Sequence, residues 1–306
     1  MQPHRLLLAV CYLSWSLPVF AQPAKPEPKR VPEKLPERVV FQPDLVFAAY
    51  GQRELKLDLF APKDGAGPHP ALVLIHGGGW QSGNKTELRP LAQQLAARGF
   101  VCICIEHRLS GEAKFPAAIQ DCKAAVRWLR ANAEKHRIDK NRIGGVGGST
   151  GGHLVNLLAT SAGVDKFEGD GGHARHSSAV QSIVNFAGTM DMTMPHFIER
   201  TRKDRNDPAV KFLGATYDEN PKLYTEASPI TYIGKQTPPM LHIDGEHDRP
   251  AFRTERSRKM LKDLGIKTDL IVVKDGPHAF WLFEPYFTPL VEDVAKWFGE
   301  TLKPAK

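Results

Sequence analysis

The chain reads as an α/β protein, with a mostly parallel central sheet, helices on both faces and an antiparallel hairpin ahead of it. Three observations predict this. Short unbroken apolar runs recur along the sequence, amphipathic segments separate them, and glycine-rich turns follow two of the runs. Strands buried on both faces read as continuous apolar stretches. Their alternation with helices builds a sheet with right-handed crossovers and a helical layer on each side.

The elements follow in order. Residues 1–21 have the form of an export signal: Arg5 at the start, an apolar stretch from Leu6 to Phe20, and a small-residue cleavage site at Val19-Phe20-Ala21. The expected destination is secreted or periplasmic, with no stable membrane insertion after cleavage. Residues 22–43 are rich in Pro, Lys and Glu and are expected to form an extended, disordered tether. The folded domain is then expected over 44–306. Phe47 to Tyr50, the turn Gly51-Gln52, and the alternating Leu55, Leu57 and Leu59 predict the hairpin. Apolar runs at 71–75, 100–105, 143–146, 180–186, 240–243 and 270–273 predict the sheet. Helices are expected over 86–97, 117–133, 150–159, 252–264 and 286–302. The second of these carries Ile119, Cys122, Val126 and Leu129 on one face. The stretches Gly169 to Gly172 and Met190 to Asn206 read as loops over the site, with Met192, Met194 and Phe197 as candidates for one wall of a pocket.

Composition narrows the possible functions. With 306 residues, 42% hydrophobic and 25% charged, the chain can bury a sizeable core. Its net charge of +7 is scattered. The densest basic segment, Arg200 to Arg205, is short, contains Asp204 and reads as a solvated loop, so no nucleic-acid partner is implied. Outside the signal the cysteines are Cys102, Cys104 and Cys122. The first two share a strand face, and the third, on the next helix, could reach one of them. Three small buried hydrophobes are the expectation. No metal-ligand spacing is visible and no cofactor is implied.

Two segments carry chemistry. His76-Gly77-Gly78-Gly79-Trp80 follows one predicted strand, and Gly147-Gly148-Ser149-Thr150-Gly151 follows another. The second is a G-x-S-x-G elbow, which presents a serine hydroxyl at a sharp strand-to-helix turn. The first can aim main-chain N–H groups at a developing oxyanion, and Gly78, Gly79 and Thr150 are the expected donors. A serine needs a base, and the base an orienting acid. Downstream, Asp248 and His278 each sit on a loop after a predicted strand. Asp244 and Glu246 are rival acids, and His242 and His247 rival bases. Trp80 either lines the substrate pocket or packs, and Trp281 is a second pocket candidate. His76 and His153 read as structural, and Arg108 as a buried, paired arginine.

HGGGW, the segment from Glu106 to Asp121, the serine elbow, Ser228 to Ile233, DGEHD and GPHAFW together resemble the α/β-hydrolase carbohydrate esterases of bacteria. Those are acetylxylan and feruloyl-type esterases, related to hormone-sensitive-lipase-like carboxylesterases. The resemblance spans about residues 45 to 300. It implies an α/β-hydrolase fold, with Ser149 as nucleophile, Asp248 as acid and His278 as base. It implies a serine esterase that hydrolyses short-chain carboxylic esters, acetyl or similar groups, on plant polysaccharide or oligosaccharides. The chain departs from the pattern in three places. Gly148 stands where relatives carry Glu or Asp, Thr150 where they carry Ala, and His107 where a Tyr is frequent. Rival readings are a peptidase or amidase on the same fold and a non-catalytic ligand-binding member.

Overall fold

A computed structural model describes residues 27–304 except 66 and 249. The expected signal at 1–21 and the first part of the tether lie outside the described residues. In chain order the strands are β1 (Lys29–Arg30), β2 (Val39–Tyr50), β3 (Arg53–Pro62), β4 (His69–Ile75), β5 (Val101–Ile105), β6 (Ile138–Gly148), β7 (Ser182–Phe186), β8 (Met240–Gly245), β9 (Thr268–Val273) and β10 (Phe283–Glu284). The helices are α1 (Arg89–Ala96), α2 (Ala117–Ala131), α3 (Thr150–Thr160), α4 (Pro195–Lys203), α5 (Pro208–Leu213), α6 (Pro221–Glu226), α7 (Pro250–Asp263) and α8 (Phe287–Thr301).

Eight strands form one sheet in the order β2-β3-β5-β4-β6-β7-β8-β9. The β2–β3 and β3–β5 pairs are antiparallel, and from β5 to β9 every neighbour is parallel. This is the predicted α/β-hydrolase architecture, hairpin included. Alternation along the strands divides the core. Ala71, Val73 and Ile75 face one apolar layer with α2 and α3, while Leu72 and Leu74 face another with α1 and α8. That division settles the cysteines. Cys102 and Cys104 lie in the second layer and Cys122 in the first, so the sheet separates them and all three are free thiols. Burial pushes each thiol up from its ordinary value.

Two expectations are corrected. The tether does not run to residue 43. Lys29–Arg30 pairs antiparallel with Phe283–Glu284, and β2 already begins at Val39. Pro43 disguised that strand. It stands where the β2–β3 register slips between Gln42 and Leu45, and β2 is the sheet's edge, where a missing N–H is tolerated. The second correction is α4, a helix inside the segment read as loop. Its polar sequence buries only Phe197 and Thr201, a spacing of four with Pro195 at the start, so its signal is weak.

A buried charge cluster ties the segment after β4 to the sheet. Asp58 on β3 is fully buried. It meets Lys85 Nζ at 2.7 Å and Arg89 Nη2 at 2.7 Å, and accepts the Asp44 N–H at 3.1 Å. Asp58→Ala would leave two cations without their shared anion. Urea denaturation is expected to show a loss of about 3–5 kcal/mol.

Candidate active site

The parallel strands end together, and the loops leaving them form the site. At the end of β6 the chain reverses into α3. Ser149 takes φ 54° and ψ −117°, a conformation that L-residues adopt only under constraint. Contacts with no room for a side chain impose it. A Cβ on Gly147 would fall 2.1 Å from the Gly151 carbonyl oxygen, and one on Gly151 would fall 2.1 Å from the Ile75 oxygen at the end of β4. The Ser149 N–H donates to Phe186 O at 2.8 Å, which fixes the elbow to β7.

The three residues named from spacing come together. Ser149 Oγ lies 2.9 Å from His278 Nε2, and His278 Nδ1 lies 2.9 and 3.0 Å from the two oxygens of Asp248. With Nδ1–H donated to a carboxylate, Nε2 is the acceptor and can take the serine proton. The rival acids have other roles. Glu246 accepts the Asp275 N–H at 2.8 Å and so ties two loops together. Asp244 is fully buried on β8, and neither of its oxygens has a hydrogen-bond partner among the described residues. Of the rival bases, His242 is buried beside Asn185, and the His247 side chain borders a neighbouring cavity.

The His76–Trp80 bend is held from several sides. His76 Nδ1–H donates to Gly77 O at 2.8 Å, and its ring stacks on His107 at 4.4 Å. Gly77 N–H donates to Glu87 Oε1 at 3.2 Å, and Trp80 O accepts the Ser110 N–H at 2.7 Å. Trp80 N–H donates to the Thr150 hydroxyl at 3.3 Å, joining the bend to the elbow. Among the described residues, the N–H groups of Gly78, Gly79 and Thr150 meet no protein acceptor. Gly79 and Thr150 line the cavity that holds Ser149, and Gly78 precedes Gly79 on the bend. His153 is structural, as expected. Its Nε2–H donates to Ala227 O at 2.7 Å and its bare Nδ1 accepts from Trp80 Nε1 at 3.3 Å. Burial pushes its pKa down to about 4, which keeps that tautomer neutral. Arg108 chelates Asp121 and lies 3.6 Å over the Tyr50 ring.

Trp80 and Trp281 part company. Trp80 lines a 240 Å³ cavity with Gly79, Ser149, Thr150, Phe197, Arg200, Pro208, Arg253 and His278. Trp281 does not line it. Its ring is buried and stacks on Phe186 at 5.8 Å, filling the space beside residue 148. A Cβ there would lie 2.6 Å from the indole, so the packed ring leaves room for glycine at 148. A second cavity of 420 Å³ adjoins the first, bordered by Met194, His196, His247, Asp248 and Phe252, and sharing Thr189, Phe197, Arg200 and Arg253 with it. Phe197 and Met194 thus line cavities as anticipated, whereas Met192 is fully buried. Arg200 and Arg253 were not anticipated. Arg200 lay in a segment read as solvated loop, and only recognition of α4 would have turned it toward the site.

A strand-to-helix elbow carrying a serine, with an acid and a histidine on later loops of a mostly parallel sheet, defines an α/β-hydrolase. Residues 57–264 match the BD-FAE family, and the chain belongs to it. It is 30% identical over 248 residues to Esterase LipQ of Mycobacterium tuberculosis, covering 75% of this chain and 55% of that one. It is 32% identical over 199 residues to Esterase LipC of the same organism, covering 63% of this chain and 48% of that one. The chain thus spans about half the length of these curated relatives. Among solved structures it is similar to a truncated form of a carbohydrate esterase from gut microbiota, at 27% identity and a TM-score of 0.76, covering 88% of this chain and 99% of that one. It is also similar to a bifunctional GH43-CE protein of Bacteroides eggerthii, at 30% identity and a TM-score of 0.75, covering 86% and 38%.

Gly148→Ala should destabilise the fold by about 1–3 kcal/mol in urea melts, and by less in a Trp281→Leu background, because the added methyl meets the indole. Asp244 supplies a pH test. Burial pushes its carboxyl up to about 7 from 3.8. Between those values the folded chain keeps a proton that the unfolded chain has released. The acid's contribution to stability therefore declines as pH rises through that window and is level above it. Asp244→Asn abolishes this decline. Its advantage over the parent should therefore grow by about 1.4 kcal/mol for each tenfold fall in proton concentration within the window, and then level off. Denaturation midpoints at pH 5 and pH 8 check it.

Proposed function

We propose that the protein is a serine esterase that cleaves short acyl groups from saccharides, acetyl or similar groups on plant polysaccharide or its oligomers, outside the cytoplasm. Ser149 Oγ attacks the ester carbonyl while His278 Nε2 takes its proton. The oxyanion rests on the N–H groups of Gly78, Gly79 and Thr150. Collapse of the tetrahedral species breaks the ester C–O bond, and His278 returns the proton to the leaving alcohol. Water, deprotonated by the same imidazole, then cleaves the acyl-enzyme and releases the acid. Asp248 holds the imidazole tautomer and stabilises the imidazolium.

The 2.9 Å approach of Ser149 Oγ to His278 Nε2 carries this reading. Membership of the BD-FAE family and likeness to a carbohydrate esterase support the ester chemistry and the saccharide substrate. The 240 Å³ cavity walled by Trp80 and Pro208 suits a short acyl chain. The extracytoplasmic placement rests on the sequence of residues 1–21. No helix among the described residues is long and apolar enough to cross a membrane.

Ser149→Ala is expected to lower kcat by about 10⁶-fold on p-nitrophenyl acetate and acetylated xylan. Asp248→Asn should lower it by about 10⁴-fold. A larger loss from Glu246→Gln than from Asp248→Asn would reassign the acid. Turnover of aminoacyl anilides faster than of acetyl esters would replace the esterase reading with an amidase.

A further inference from the structure

We infer that the alcohol half of the ester carries a carboxylate, and that Arg200 and Arg253 receive it. The inference rests on the esterase reading of the same cleft and names the substrate's charge. Both arginines line both cavities and so stand on the boundary between them. Among the described residues lining the two cavities there is one carboxylate, Asp248, and the imidazole of His278 engages both its oxygens. The lining thus carries two guanidinium groups against one carboxylate; Arg253 shares that carboxylate, and Arg200 pairs with an acid outside the lining.

Each guanidinium is anchored in a way that leaves it facing the cleft. Arg200 Nε meets Asp207 Oδ2 at 2.6 Å. Asp207 is buried, caps α5 and lines neither cavity, whereas the Arg200 side chain stays 50% exposed. Arg253 Nη2 donates to Ala187 O at 2.6 Å, and its Nη1 forms a loose ion pair with Asp248 Oδ1 at 3.6 Å, too long for a hydrogen bond. A neutral saccharide in this cleft would strip water from two guanidinium groups and return little. A carboxylate replaces that water with charge-assisted, planar hydrogen bonds, the geometry the arginine fork favours.

The larger cavity decides which half of the ester bears the charge. It lies on the Asp248 side, and Phe252 stands on it 55% exposed, its ring 5.5 Å from that of His196. An exposed aromatic face beside cationic groups fits a pyranose ring that carries an acid. The smaller cavity, under Gly79 and Trp80, is left for the acyl group. The substrate class is thus an acylated, uronate-type oligosaccharide.

The test measures acetate release from O-acetylated trigalacturonate, with its carboxylates free or converted to neutral amides. The free acid is expected to show a kcat/KM about tenfold higher, the worth of one charge-assisted pair. That advantage should shrink as salt screens it. Arg200→Gln should bring the ratio towards one, Arg200→Glu should reverse it, and Arg200→Lys should keep part of it. Equal rates on the two oligomers, or a ratio unmoved in the Gln and Glu variants, overturn the inference while leaving the esterase reading in place. Failure to release acid from either oligomer and from p-nitrophenyl acetate removes the esterase reading and this inference with it.

Discussion

The site depends on one backbone constraint, the reversal of the chain at Ser149. A residue held at φ 54° is strained, and the strain persists only because neighbours forbid relaxation. Those neighbours are main-chain atoms and one side-chain amide. Gly147 lies against Gly151, Gly151 against the end of β4, and a Cβ on Gly152 would fall 2.3 Å from Asn185 Oδ1 at the end of β7. The three central parallel strands thus set the position of one hydroxyl. The same contacts start α3 directly after the serine, with Thr150 lining the cleft.

The second requirement is registration between two loops far apart in sequence. The His76–Trp80 bend runs through successive positive φ values at Gly78, Gly79 and Trp80. Such a path is held by bonds rather than by propensity. Glu87 receives the N–H of Gly77, and the Thr150 hydroxyl receives that of Trp80. Thr150 thus adds a side-chain link between the bend and the elbow. Trp80 extends the brace inward by stacking on Phe212 at 4.8 Å and bonding His153. His153 stays neutral under burial, and this polar contact therefore adds no charge beneath the cavity.

Much of this was legible in the residues themselves, for identifiable reasons. The central strands are buried on both faces, so apolar runs marked them directly. Ser149, Asp248 and His278 each follow such a run, and the loops of a parallel sheet converge at one edge. What escaped the sequence depended on contacts between distant segments. Asp248 was preferred to Asp244 and Glu246 by its place in the loop after β8; what the rivals do, Asp244 buried within that strand and Glu246 bonded to the Asp275 N–H, was visible only in the fold. Trp281 is three residues from His278, yet it packs on the elbow because residue 148 has no side chain to exclude it. Helix α4 buries two side chains among basic ones, too faint a pattern to separate from a solvated loop.

The short pairing of Lys29–Arg30 with Phe283–Glu284 has a practical consequence. Those two strands meet just beyond the loop that bears the imidazole, and Val31 N–H extends the contact to Leu282 O at 2.9 Å. A cloning boundary drawn at the end of the proline-rich stretch would cut away both this clasp and the first five residues of the edge strand. An expression design that keeps everything from Glu27 onward retains them.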